Sequence, residues 1–189
     1  MSFDPADFSI PTDSIPQISA KTDAAVALDS FYYFAYGSCM CPVDLERTIG
    51  EDAHALVVGK GILQDHRLAF NRLSPKRQSC GVLDVVPHRG SCVEGVLYKL
   101  PWRVSDRLDI REEVPHNGYR HELINVQCEG RLYQDVRTYV VVEKEPQEVP
   151  PDDWYFYIVM RGAVTAKLSS DYSWQLFTHM KRLQRDKAA

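Results

Sequence analysis

Hydrophobic positions change their period several times along the chain, and each change marks an element. Phe31 to Tyr36 is an aromatic-rich run of six closed by Gly37, with the length and residue types of a buried central strand. Pro42 suits the first turn of a helix whose Leu45 and Ile49 fall four apart on one face, and Gly50 supplies the stop. Val57, Val58 and Ile62 within Ala55 to Leu63, then Leu68 and Phe70 in alternation within His66 to Asn71, predict two strands. Gly81 to Val86 and Cys92 to Leu100 predict two more, and the turn-rich spacer Pro87, His88, Arg89, Gly90 predicts that these two form a hairpin with each other. The period returns to helical over Trp102 to Glu113, where Val104, Leu108 and Glu112 share a face and Pro115 with Gly118 ends the segment. Tyr119 to Gln127 and Arg131 to Glu143 alternate as strands joined at Glu129 and Gly130. After the breakers Pro146, Pro150 and Pro151, Asp152 or Asp153 can cap a helix running to about Leu168, and a second helix starts near Ser170.

Strands dominate the middle and helices punctuate it, so the expected class is α+β: a small mixed β-barrel with flanking helices. Residues 1–29 are polar, punctuated by proline and without sustained period, which reads as an extended or flexible segment ahead of one domain over 30–189. A length of 189 residues, 44% hydrophobic and 25% charged, suits one domain with a sizeable core. The formal net charge of -4 opposes the phosphate neutralisation that nucleic-acid binding relies on, so no nucleic-acid partner is expected. The longest apolar run, Trp154 to Met160, is seven residues against the roughly 20 a membrane-spanning helix needs, so no membrane partner is expected either. The start of the chain, with Asp4, Asp7 and Asp13 among prolines, lacks the basic and apolar stretches of a secretory signal. Five cysteines, an odd number in a chain too long to depend on disulfides, fit reduced thiols and a cytoplasmic location.

Two stretches carry candidate chemistry. Tyr36-Gly37-Ser38 closes a buried strand and opens a loop ahead of a helix, where successive backbone N–H groups can form a concavity for a carboxylate or oxyanion; an ordinary strand-to-helix turn is the plainer alternative. Gly37 would let the chain turn and let a ligand approach the backbone. Glu112 sits just before a chain break. If it is carried inward with Val104 and Leu108, apolar surroundings raise its pKa toward neutrality, as a group acting as both acid and base requires. A solvated helix end is the alternative, and adjacent Glu113 would point elsewhere in either case.

Taken together, Tyr36-Gly37-Ser38 after an aromatic strand, Gly95-Val96-Leu97-Tyr98, Leu108-Asp109-Ile110-Arg111-Glu112 and Gly118-Tyr119-Arg120 resemble the gamma-glutamylcyclotransferase family. Tyr155, after Pro151 and ahead of Gly162-Ala163, is similar to the family's C-terminal Tyr helix, so the likeness spans residues 31 to about 165. The resemblance implies a barrel that cyclises a small-molecule gamma-glutamyl substrate to 5-oxoproline without metal or cofactor. The substrate's α-amino group would attack its own γ-carbonyl and expel the attached amine. Glu112 stands at the family's catalytic Glu; Gly37, Ser38 and Cys39 would supply backbone donors, and Tyr36 and Tyr155 would close the pocket. Two positions depart from the family pattern. Cys39 replaces the usual Asn, so a side-chain amide contact is lost while backbone donors remain. Glu113 replaces a frequent Gly, and its charge would raise the pKa of Glu112 further or favour a cationic leaving amine.

Other readings of these residues compete. Cys39 and Cys41 lack the second close pair of a zinc signature. Cys39 as a nucleophile would need a histidine such as His66 or His116 as its base. Lys181, Arg182, Arg185 and Lys187 suit the C-terminal end of a helix dipole. A non-catalytic barrel binding a small anionic ligand is the main functional alternative. The leaving group stays open among glutathione, gamma-glutamyl amino acids and gamma-glutamylamines.

Overall fold

The computed structural model describes residues 17–18 and 29–188, and the segment 1–29 expected to be extended therefore lies outside the described residues except at those positions. Strands β1 (Gln17–Ile18), β2 (Ser30–Ala35), β3 (Val57–Leu73), β4 (Gly81–Pro101), β5 (Tyr119–Cys128) and β6 (Arg131–Val141) alternate with helices α1 (Pro42–Ile49), α2 (Ser105–Arg111), α3 (Asp153–Thr165) and α4 (Ser170–Ala188). β2 runs antiparallel to β4 and meets β6 in parallel at Tyr33 and Arg137. β4 pairs with β3, β3 with β5 and β5 with β6, so the order β2-β4-β3-β5-β6 returns to β2 and closes a five-stranded mixed barrel. β1 adds in parallel along β6. Closure removes the open sheet edges on which other chains could pair.

Two small residues shape the barrel interior. Gly61 and Gly95 face each other across β3 and β4, and a Cβ on either would lie within 3 Å of the Phe34 ring. Their missing side chains make room for Phe34, which is fully buried and helps fill the interior with Leu97, Val93 and Val126.

The predicted hairpin between Gly81–Val86 and Cys92–Leu100 does not form. Both segments belong to the single strand β4, and the two segments expected over 55–63 and 66–71 are likewise one strand, β3. Lys60 pairs with Val96 and Leu68 with Val85, so the chain reverses at Ser74–Cys80, where the Ser74 amide donates to the Cys80 carbonyl at 2.8 Å. The spacer 87–90 is irregular for a different reason. The register slips there against Asp65, which takes a left-handed φ of 57°, and the Asp65 carboxylate accepts from the Gly90 amide at 2.8 Å. Turn-rich composition thus marks a bulge rather than a reversal.

The segment 102–113 is a shorter helix than expected, a 3-10 turn Trp102–Val104 running into α2, with Glu112 at the C-terminal cap. Val104 and Leu108 are fully buried, as their shared face requires. α3 starts at the predicted cap, where the Asp152 carboxylate accepts from the Tyr155 amide at 2.7 Å, and ends at Thr165 rather than near Leu168. Among the described residues no helix is long and apolar enough to cross a membrane.

Candidate active site

β2 delivers Tyr36 to the end of the barrel, and the chain then makes a 3-10 turn over Ser38–Met40 before α1. The Met40 amide bonds the Gly37 carbonyl at 3.0 Å, which leaves the amides of Gly37, Ser38 and Cys39 without partners inside that turn. Three distant elements hold the turn. The Tyr98 hydroxyl of β4 donates to the carbonyls of Cys39 at 3.1 Å and Met40 at 3.2 Å, Gly162 of α3 packs against Met40, and Arg111 of α2 donates to the Ser38 hydroxyl at 2.9 Å. Gly37 itself has φ -124°, which any residue adopts, so a left-handed turn is not its role. A Cβ there would come within 3.4 Å of the Tyr155 hydroxyl and 3.8 Å of Leu83, so glycine keeps the space between them open.

That space is a narrow inner pocket of about 40 Å³ lined by Tyr33, Tyr36, Gly37, Ser38, Cys39, Leu83, Glu112, Tyr119, Tyr139 and Tyr155. All six residues singled out from the sequence, Tyr36, Gly37, Ser38, Cys39, Glu112 and Tyr155, therefore line one cavity. Four further wall residues, Tyr33, Leu83, Tyr119 and Tyr139, carry no local signal that sets them apart, although Tyr119 lies inside the Gly118-Tyr119-Arg120 motif. Hydrogen bonds fix the tyrosines: Tyr36 donates to the Tyr139 carbonyl at 2.5 Å, Tyr119 donates to the Leu83 carbonyl at 2.7 Å, and Tyr155 accepts from the Leu83 amide at 3.2 Å. Burial pushes the phenol pKa values of Tyr33, Tyr36, Tyr119 and Tyr155 above the ordinary tyrosine value, so they stay neutral.

Glu112 enters this neutral lining from the end of α2, whose placement depends on Asp109. Asp109 accepts from the Tyr139 hydroxyl at 2.5 Å and lies 2.7 Å from the His121 ring, tying α2 to β5 and β6. Burial raises the Glu112 pKa, while Arg111, Lys76, a hydrogen bond from Cys39 and Arg72 pull it back down. Its Oε1 lies 3.5 Å from Arg111 Nε and 3.8 Å from the Cys39 thiol, and its side chain keeps 18% of its surface open to the pocket. Arg111 is held in place by the hydroxyls of Thr48 at 2.6 Å and Ser38 at 2.9 Å.

Both departures from the family pattern acquire a physical description. The Cys39 side chain is buried at 3% exposure and donates to Glu112, so it contributes more than its backbone; burial pushes its own pKa up to about 11, which keeps it a thiol. That opposes the nucleophile reading, and neither His66 nor His116 lines the pocket. Glu113 takes a left-handed φ of 56°, the conformation that glycine adopts freely. Its Oε2 lies 2.6 Å from Arg72 and its Oε1 4.0 Å from Lys76. These two cations offset its charge, so the expected uncompensated negative charge beside Glu112 is absent.

The inner pocket opens into a cleft of about 340 Å³ that shares Ser38, Glu112, Tyr119 and Tyr155 with it and adds Arg72, Lys76, Arg77, Arg111 and Trp154 to the rim. A larger cavity of about 650 Å³ between α4 and the β3–β4 strands has two of its lining carboxylates engaged: Glu94 accepts from Ser169, and Glu148 accepts from the Phe70 amide and meets His179. Among the described residues no group of three or more His, Cys, Asp or Glu is arranged to hold a metal ion.

A family model described as the AIG2-like family matches residues 92–176, a stretch that contains both Glu112 and Tyr155. The Bacillus subtilis (strain 168) protein named "Putative gamma-glutamylcyclotransferase YkqA" is 30% identical over 154 residues, covering 82% of this chain and 53% of its own length. The crystal structure of YkqA superposes with a TM-score of 0.70 over 80% of this chain and 54% of its own, again at 30% identity. The chain is similar to the AIG2-like family and to gamma-glutamylcyclotransferases. A solved structure titled "Gamma-glutamyl cyclotransferase" matches with a TM-score of 0.69 at 25% identity, over 78% of this chain and 86% of that one. The chain spans about half the length of YkqA. The barrel and its helices are thus of the gamma-glutamylcyclotransferase-like fold.

Proposed function

We propose that the chain cyclises gamma-glutamyl compounds to 5-oxoproline and a free amine. The observation that carries this reading is Glu112, a partly buried carboxylate with a raised pKa, standing at the junction of a narrow neutral pocket and a wider cleft. The inner pocket and the adjoining mouth of the cleft take the glutamyl unit, and the amides of Gly37, Ser38 and Cys39 face the substrate's carboxylate or the oxyanion that forms on the γ-carbonyl.

In the reaction the α-amino nitrogen bonds to the γ-carbonyl carbon and gives a proton to Glu112. Glu112 returns a proton to the leaving nitrogen, the original amide C–N bond breaks, and the carbonyl re-forms in the lactam. One carboxylate suffices because the two nitrogens are bound to the same carbon in the tetrahedral intermediate. A raised pKa places Glu112 nearer the operating pH, where both transfers run with little driving-force penalty. Arg111 positions the carboxylate and limits how far its pKa rises. Because the attack is intramolecular, holding the glutamyl arm in a rigid barrel supplies much of the acceleration.

The test is release of 5-oxoproline from gamma-glutamyl amino acids, glutathione and gamma-glutamylamines by the wild type and by Glu112→Gln. Turnover is expected from at least one substrate, with a loss of about a thousandfold or more in Glu112→Gln, equivalent to about 4 kcal/mol of transition-state stabilisation. Thermal stabilisation by these compounds without any turnover would instead favour a binding-only barrel.

A further inference from the structure

The outer cleft has a charge pattern that the cyclisation itself does not require. Arg72, Lys76, Arg77 and Arg111 line it against two lining carboxylates, Glu112 and Glu113, in a chain whose net charge is -4. Three of the four cations are engaged. Arg72 holds Glu113 at 2.6 Å and lies over the Tyr119 ring, Arg77 holds Asp152 at 2.6 Å and stacks 4.3 Å over Trp154, and Arg111 is bonded to Thr48 and Ser38. Lys76 is different. It stands on the Ser74–Cys80 reversal with a side chain 70% exposed, and its nearest ion-pair partner is the Glu113 oxygen 4.0 Å away, a carboxylate already committed to Arg72.

Geometry decides what meets this cation. If Glu112 serves both nitrogens of the reaction, the leaving nitrogen lies at the junction where Glu112 stands, and the group attached to it must project away from the narrow pocket into the cleft. Trp154, half exposed at 51%, gives that group an apolar wall, and Lys76 gives it a cation on the rim. A carboxylate on the leaving group completes this arrangement, whereas a second ammonium is repelled by it.

We propose that the outer cleft is the leaving-group subsite and that Lys76 selects leaving groups bearing a carboxylate, which makes gamma-glutamyl amino acids and peptides the preferred substrates over gamma-glutamylamines. This rests on the cyclisation reading above and adds a specificity residue to it.

The experiment compares kcat/KM for gamma-glutamylalanine, its neutral isostere gamma-glutamylalaninamide, and a gamma-glutamyl diamine conjugate, with 5-oxoproline as the common readout. The wild type is expected to favour the acid over the amide by about tenfold and to use the diamine conjugate least, with the acid preference carried by KM and weakened by salt. Lys76→Gln should bring the acid-to-amide ratio to within about threefold of unity, Lys76→Glu should invert it, and Lys76→Arg should retain it. A wild-type ratio near unity, best turnover of the diamine conjugate, or a ratio unmoved in Lys76→Glu overturns the subsite while leaving cyclisation standing. Absence of 5-oxoproline from all three substrates overturns the cyclisation reading and the subsite with it.

Discussion

Two carboxylates at different places in this barrel have opposite surroundings, one enclosed and bonded on every side, the other partly buried and facing a cavity. Asp84 on β4 is fully enclosed, and every direction around it is filled: the Asn71 amide and the Val141 backbone N–H each donate at 2.9 Å, and the Lys144 ammonium contacts it as well. Those donors come from β3, from β6 and from the chain just beyond β6, so one carboxylate ties together strands remote in sequence. Glu112 meets a guanidinium at 3.5 Å and a weak thiol donor at 3.8 Å, the charges of Lys76 and Arg72 also act on it, and part of its surface is left open. A carboxylate bonded on every side has no oxygen free to meet a ligand. A buried one with few donors has its pKa raised and can exchange protons at little cost.

The largest effects expected separate the two sites by kind. Asp84→Ala leaves two donors and a lysine without their acceptor, and is expected to cost about 3–5 kcal/mol of stability, read as a lower midpoint in denaturant. Glu112→Gln is expected to abolish turnover and raise stability at pH 8. The sign follows from linkage. Because the folded pKa of Glu112 lies above the unfolded one, the stability of its protonated form is fully present below the ordinary Glu value and lost as pH rises through the raised value. The neutral amide avoids that loss, so its advantage should shrink toward pH 4. The same raised pKa predicts that kcat/KM falls as pH drops through it. A Glu112→Gln protein destabilised as much as Asp84→Ala would remove the distinction between the sites.

A smaller effect is expected at Cys39, whose thiol is the weak donor that Asp84 has no need of. Its hydrogen bond favours the ionised Glu112, so Cys39→Ala should move the acidic limb of the pH–rate profile upward, and Cys39→Ser should hold it in place or lower it. Rates at the optimum should stay within about tenfold of wild type, since neither substitution removes the base. Complete inactivity of both variants with intact folding would revive a thiol mechanism.

Local signals were legible in the sequence, and contacts between remote segments were not. Pro42 and Gly50 bracket α1 at the expected residues, because a helix's ends are set by neighbours within a turn. Asp152 caps α3 for the same reason. The β3–β4 pairing has no local signature, because a segment such as Pro87 to Gly90 suits a bulge and a reversal alike, and only the partner strand decides which one forms. Glu112, Tyr36 and Tyr155 could be found through motifs, each a short run of fixed spacing. Tyr33 and Tyr139 could not, because they reach the pocket through the closure of β2 on β6, an event with no local signature. Arg111 lay inside a recognised motif, yet its grip on Ser38 and Thr48 depends on α1 and α2 meeting across more than sixty residues of chain.

The smallest effect tests the neighbour that shares Glu112's charge but not its surroundings. Glu113 is turned aside by its left-handed backbone and held by Arg72, with side chains 19% and 15% exposed. Glu113→Gln weakens that pair and should cost about 1 kcal/mol of stability. It should change turnover by less than about threefold. Because Arg72 and Lys76 then act on the cleft with less opposition, the preference for an acidic leaving group should sharpen rather than fade. Equal loss of turnover in Glu113→Gln and Glu112→Gln would mean that neither carboxylate alone is the shared acid and base.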